Sequence, residues 1–428
     1  MRDQTVLGMI TKGVDKDSLT IPERDKSVLR ELAERLAELA ERPAEKEKAR
    51  LWTLHNDLGN VRPLVFCDPE NGWNEIIPEE TLECESSLAK DWEVYLRKEI
   101  CWAENMKDDK VVEAVFDVPY VAVESDWGMH EKKIGGEHGG AYRWEAPLND
   151  FSDIDKLHFP QITVDYNATE RILALAEEVF GKYLKVRIKH KWWWTLGLTW
   201  TLVNLRGLTQ IMYDMYDSPD ELHRLMSILR DGHLSKLDFL EKQGLLCDNT
   251  GNTYVGSGGF GFTEQLPKEG FDRERVRLSD MWGFAESQET SYVSPEMFAE
   301  FILPYQIPIL EKFGLNCYGC CEPLEGRWEY VKRIPNLRRV SVSPWADAEG
   351  MAERLKGDYI YSYKPNPAYL AVREMDESIV RKELREIIKI TRKNNCVLEI
   401  IMKDNNTLGG NPQNAYKWVE IAKEEAGV

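Results

Sequence analysis

Eight short β-type runs, separated by stretches of helical periodicity, constrain this 428-residue chain more than any other feature. They are Leu64–Asp68, Lys185–His190, Leu245–Asn249, Asp280–Glu286, Leu315–Cys320, Arg338–Ser343, Asp358–Tyr363 and Cys396–Met402. Each is apolar-rich and too short to be a buried helix. Helix signals fall between them. Ser218-Pro219-Asp220-Glu221 places a cap, a first-turn proline and a glutamate three residues on, and predicts a helix to Gln243 with Gly244 as its stop. Ser294-Pro295-Glu296 opens another that runs to Phe313, and further helices are expected over Asp347–Lys356, Asp376–Lys393 and Asn414–Glu425. Strands alternating with helices in this number predict an α/β chain folded as a (β/α)8 TIM barrel. A doubly wound open sheet is the competing arrangement. It would place a Gly-rich phosphate loop after the first strand, where there is none. Gly256-Ser257-Gly258-Gly259-Phe260-Gly261 lacks a lysine at phosphate-loop spacing and reads as a flexible active-site loop.

Two regions fall outside the alternation. Val28, Leu29, Leu32, Leu36 and Leu39 follow a 3–4 spacing that Pro43 breaks, so residues 1–60 read as a helical extension, a cap or a dimer element. The barrel then spans 61–428, with an insertion at about 70–180 that follows the first strand. That insertion is expected to hold a helix over Leu82–Met106 and a loop-rich piece from Asp117 to Pro160. Within it Gly135–Gly140 reads as a mobile lid, and His130 and His138 as surface residues.

A net charge of −19 repels nucleic acid and anionic membrane surfaces. No apolar run approaches the ~20 residues of a membrane span, and the polar Met1-Arg2-Asp3-Gln4 start has no secretory core. Eight cysteines without regular spacing read as reduced thiols of a cytoplasmic protein. Fourteen tryptophans, four of them in Trp192-Trp193-Trp194 and Trp200, fit a packed shell, a homo-oligomer interface or an aromatic pocket for a small-molecule substrate.

Chemistry in a barrel sits at the C-terminal ends of the strands. Here those ends carry Asp68, His190, Asn249, Glu286, Cys320, Glu322, Ser343, Lys364, Lys403 and Asp404. Glu286, Cys320 and Glu322 are candidate metal ligands, because neighbouring strands place their ends about 5 Å apart. In Asn316-Cys317-Tyr318-Gly319-Cys320-Cys321-Glu322-Pro323 the strand alternation points Cys317 and Cys320 to opposite faces, so Cys317 is assigned to the core. No Ser-His-Asp order is visible. Paired carboxylates for glycoside hydrolysis (Asp68, Glu70, Glu286, Glu322) remain a rival arrangement.

Tyr292-Val293-Ser294-Pro295-Glu296-Met297-Phe298, then Phe301-Ile302-Leu303-Pro304-Tyr305, then the cysteine segment, resemble the uroporphyrinogen decarboxylase-like superfamily, from about Arg187 to the C-terminus. The resemblance implies a (β/α)8 barrel and is nearest in type to corrinoid-dependent methyltransferases. In those a zinc is held by a His-x-Cys pair, a distal Cys and sometimes an upstream carboxylate. Tyr318 stands at the His position, Cys320 keeps the Cys and Glu286 matches the carboxylate, while Lys403-Asp404 stands where a distal Cys is expected. The decarboxylases carry arginines after the first strand, where this chain has Asp68-Pro69-Glu70-Asn71-Gly72-Trp73, which disfavours a polyanionic tetrapyrrole.

The expectation is therefore a methyltransferase moving a methyl group between a small methylated substrate, a methyl ether or amine, and a corrinoid on a partner protein, with zinc on Glu286, Cys320 and Glu322. Glu286, Lys364 and Asp404 are the candidate catalytic groups. Asp68, Trp73, His190, Asn249, Trp282 and Trp345, together with Trp127, would line the substrate pocket. The alternative is a metal-free carboxy-lyase acting on a small acid.

Overall fold

Both faces of most central strands are buried, and they are paired in parallel. A computed structural model describes residues 20–135 and 142–428. Eight parallel strands are labelled here in chain order: β1 Leu64–Cys67, β2 Val115–Val118, β3 Lys185–Ile188, β4 Trp282–Ala285, β5 Leu315–Tyr318, β6 Leu337–Val342, β7 Ile360–Tyr363 and β8 Val397–Met402. Six form one sheet in the order β1-β8-β7-β6-β5-β4, and β2 pairs with β3. The first strand thus lies beside the last, with Leu64 opposite Glu399 and Cys67 opposite Met402.

The pleat divides the side chains of β6 to β8 by chemistry. Arg339, Ser341, Ser362 and Glu399 share one face, whereas Val340, Tyr361 and Ile400 occupy the other. The apolar face packs under helices. Tyr361 Oη donates to the Ala348 carbonyl of the helix Ala348–Leu355, and Tyr318 Oη donates to Gln306 in the helix Leu303–Leu310.

The helices start and stop where the sequence signals place them. Asp347 and Asp376 accept hydrogen bonds from Gly350 N and from Ser378 and Ile379 N, capping helices Ala348–Leu355 and Glu377–Lys393. The expected helix after Ser294 is interrupted at Ile302 and runs as Pro295–Phe301 and Leu303–Leu310. Pro304 lacks the N–H that would carry the hydrogen-bond ladder through.

One expected strand is absent and one unexpected strand is present. Leu245–Asn249 forms no ladder. Instead the Asn249 side chain brackets the start of β4, donating to the Trp282 carbonyl at 2.8 Å and accepting from Trp282 N at 2.9 Å. The chain then enters an antiparallel pair, Gly251–Tyr254 with Phe260–Gly261. The additional strand is β2, four residues inside the expected insertion, of which Asp117 and Val118 fall in the stretch read as loop-rich. Its alternate residues are only half-buried, and Pro119 follows it directly.

The remainder of the insertion holds the helices Ser87–Cys101 and Tyr166–Phe180 and two small antiparallel pairs. The N-terminal helix α1, Glu23–Ala40, buries Leu29, Ala33, Leu36 and Leu39 against these two helices. Each leucine contributes about 1.5–3 kcal/mol by leaving water. Pro43 begins the next helix, α2, Pro43–Asn56, at its first turn. Gly136–Gly140 of the expected lid, His138 and the N-terminal Met1–Gln4 lie outside the described residues. Among the described residues no helix is long and apolar enough to cross a membrane.

Candidate functional site

The chain turns sharply after β5, and Gly319 at φ +90° takes a conformation that a side chain would strain. That turn sets Cys320 at the C-terminal edge of the sheet, 2 % exposed. Its sulfur accepts a hydrogen bond from Ser257 Oγ at 3.2 Å and lies 3.7 Å from Lys403 Nζ and 3.6 Å from the Cys321 sulfur. Lys403 follows directly after β8. Its ammonium also reaches Ser257 Oγ at 3.3 Å and Asp404 Oδ1 at 3.2 Å.

The electrostatics of this group follow from its charges. The Cys321 thiol beside it pulls the Cys320 pKa below the usual thiol range; burial opposes this and Lys403 reinforces it. Burial works against the Lys403 ammonium, yet the Cys320 thiolate, with Tyr254 and Asp404, holds its pKa well above normal. The arrangement sets a buried cysteine sulfur against a buried ammonium, which favours the thiolate form.

Ser257 arrives on the glycine-rich loop, which is packed tightly inside the strand ends. Residues 255–260 are all buried. Gly256 sits at φ +66° against the Cys317 side chain, and Gly258 at φ +135° against Ile401. Small residues are needed because β5 and β8 side chains approach the backbone within van der Waals contact. The loop expected to be flexible is a plug.

Beneath this layer a second polar group runs across the interior face. Lys364 Nζ donates to Ser362 Oγ at 2.5 Å, and Ser362 Oγ donates to Glu399 Oε1 at 2.5 Å. Glu399 pairs with Arg339 at 2.9 Å, and Arg339 reaches Asn56 of α2 at 2.7 Å. Burial lowers the Lys364 pKa to about 8, although nearby Glu399 opposes it.

The three residues offered to zinc do come to one place. Their donor atoms are already engaged. Glu322 Oε1 accepts from Ser287 N at 2.8 Å, and its Oε2 accepts from Cys320 N at 2.8 Å. Glu286 accepts from Thr195 Oγ1 at 3.1 Å and from Gln288 N at 2.8 Å. Burial, with Glu289 and Glu322 close by, raises the Glu286 pKa well above the usual carboxylate range, favouring its neutral form. Cys320 faces a cation. Among the described residues no three or more His, Cys, Asp or Glu are grouped to hold a metal. Tyr318, at the expected His position, points away to Gln306. As placed, these side chains do not fit a zinc.

The other sequence candidates divide between this site and elsewhere. Asp404 joins it, accepting from the Cys321 sulfur at 3.6 Å. Asp68 and Glu70 lie close enough to Tyr254, along with Lys403 and Asp404, to act on its ionisation. Asp68 also accepts from Trp73 Nε1 at 2.9 Å, and Trp73 is buried edge-on to Trp102. Trp345 is 67 % exposed, three residues past the end of β6 at Val342.

Four expected pocket residues are placed differently. Trp282 stands at the opposite end of β4, with Arg339 over its ring and its indole N–H on the Gly261 carbonyl. Asn249 brackets the Trp282 backbone, as described above. His190 packs on Trp192 at 4.0 Å between ring centres, and burial beside Lys236 lowers its pKa to about 4. Trp127 packs on His233 and covers Gly232 of the helix Pro219–Lys242. Cys317 is buried beneath Gly256, 3.6 Å from Arg339. It is a core thiol that borders the polar interior.

Ser257 carries no sequence signal of its role beyond the glycine run around it. No protein-family model matches this chain, and no curated protein matches its sequence.

Proposed function

We propose that the chain is an enzyme whose substrate site lies at the C-terminal strand ends around Cys320, and that it moves a methyl group from a small methylated amine or ether. The single observation that carries this reading is the buried Cys320 sulfur, held 3.7 Å from Lys403 Nζ and 3.2 Å from Ser257 Oγ. A desolvated thiolate beside a fixed cation is a strong nucleophile kept in its reactive form.

The fold part of this reading is that the two parallel sheets are arcs of one eight-stranded barrel. Its support is the β1–β8 pairing together with two links across the gaps. Asp109 N donates to the Val65 carbonyl of β1, and Leu196 N donates to the Phe284 carbonyl of β4. Sites of barrels lie at the strand ends where Cys320 and Lys403 stand.

In this mechanism the Cys320 sulfur attacks the methyl carbon, an S–C bond forms and the C–N or C–O bond breaks. The electron pair stays on the departing heteroatom. For an ether, Lys364 gives that oxygen its proton; its pKa of about 8 suits transfer near neutrality. A methylated ammonium leaves as a neutral amine without a proton, and the nearby Asp68, Glu70 and Asp404 favour a cationic substrate. On the sequence resemblance, the acceptor that unloads the sulfur is a corrinoid carried by a partner protein.

The second reading, a metal-free lyase acting on a small acid, is favoured by the two buried lysines, Lys364 and Lys403, which would pair with a substrate carboxylate. One experiment separates the two. The protein is incubated with a panel of methylated amines and aryl methyl ethers without acceptor, and its peptides are weighed. Methyl transfer predicts one added methylene mass on Cys320 and none in Cys320→Ala. Carbon dioxide release from a small acid, unchanged in Cys320→Ala, would replace this reading with the lyase.

A further inference from the structure

We propose that Cys320 and Cys321 form a hydroperoxide-sensitive modification site, closing to a disulfide between adjacent residues that removes the Cys320 thiolate. This inference requires only the two free sulfurs and their neighbours, so it stands whether or not Cys320 serves in methyl transfer.

The observations are geometric. The two sulfurs lie 3.6 Å apart, and one residue is buried while the next is exposed. The pair therefore spans the boundary between the buried interior and solvent. No other two cysteine sulfurs among the described residues are paired in this way, and Cys67, Cys84, Cys101 and Cys317 are buried. The acid and base that the chemistry needs are already in contact: Lys403 Nζ is 3.7 Å from the Cys320 sulfur, and Cys321 donates to Asp404 at 3.6 Å.

The steps balance as follows. The Cys320 thiolate attacks the terminal oxygen of a hydroperoxide, an S–O bond forms and the O–O bond breaks. The departing alkoxide or hydroxide takes a proton from Lys403, leaving cysteine sulfenic acid. Cys321 then passes its proton to Asp404 and its sulfur attacks the sulfenic sulfur. The S–OH bond breaks, and the hydroxide leaves as water with the proton from Asp404. Overall two thiols and one hydroperoxide give one disulfide, one alcohol or water, and one further water. A thiol reductant reverses the change.

The test uses the full chain, reduced and then freed of reductant, with hydrogen peroxide as the probe. Wild-type protein is expected to lose two hydrogens in mass, with the link placed between positions 320 and 321 by fragmentation and reversed by dithiothreitol. Cys321→Ser is expected to form no disulfide and to trap dimedone on Cys320. Two results would overturn the proposal: wild type keeping both thiols free at peroxide levels that label Cys320 in Cys321→Ser, or a link from Cys320 to Cys317. Because this test reads a loss of two hydrogens under peroxide, and the methyl-transfer test reads a gained methylene under a methyl donor, its failure is distinguishable from failure of the methyl-transfer reading.

Discussion

Ser257 Oγ donates to the Cys320 sulfur at 3.2 Å across 63 positions of sequence. The bond joins a glycine-rich plug to the end of a parallel strand, and both residues are almost fully buried. The position of the plug therefore fixes the environment of the thiolate.

Gly258→Ala should disturb both fold and site. An added methyl group would meet Ile401 Cγ2 at 2.5 Å, at a φ of +135° that side chains rarely adopt. We expect a loss of about 1–3 kcal/mol in urea unfolding and slower alkylation of Cys320 by iodoacetamide. Unchanged stability would mean that the loop is free to move.

The Arg339–Glu399 pair should behave as a buried ion pair. Arg339→Met alone removes the nearest cation from buried Glu399, leaving it Lys364 and His55, and should cost about 3–5 kcal/mol. The double variant Arg339→Met, Glu399→Leu should cost less than the single one. A double-mutant cycle in denaturant measures this, and strictly additive losses would show that the two side chains are not coupled.

Lys364 gives a pH dependence with a defined sign. Its pKa is about 8 in the folded chain, below its ordinary 10.5, so the unfolded chain binds more protons between those values. Stability should rise with pH through this window relative to Lys364→Met, and the difference should be flat below about pH 8. Turnover of an ether substrate should fall above the same pH, as the lysine loses the proton it donates. Denaturation curves for both proteins from pH 7 to 10 test the first part.

Glu286 and Glu322 should separate on conversion to glutamine. Glu322 accepts backbone N–H groups on both of its oxygens, and an amide nitrogen would face at least one of those donors. Glu322→Gln should cost about 1–3 kcal/mol. Glu286 meets one backbone N–H and the Thr195 hydroxyl, which can turn to accept from an amide, so Glu286→Gln should cost less. Equal losses in thermal unfolding would remove the distinction.

What the sequence determined by itself is local. The apolar runs of β1 and of β3 to β8, the capping aspartates of Ala348–Leu355 and Glu377–Lys393 and the α1 stripe are all legible, because each depends on near neighbours in the chain. The choice of Cys320 over Cys317 does not follow from strand alternation, because β5 ends at Tyr318 and the turn at Gly319, not the pleat, places Cys320. Tertiary structure alone decided the rest. Asn249 replaces a strand ladder because its amide meets the Trp282 backbone, 33 residues away. Glu322 and Glu286 are anchors engaged by N–H and O–H donors, which no spacing of acidic residues reveals. Lys403 and Ser257 reach Cys320 from 83 and 63 positions away. A thiolate is stabilised by the charges around it, and those are assembled only when distant strand ends meet.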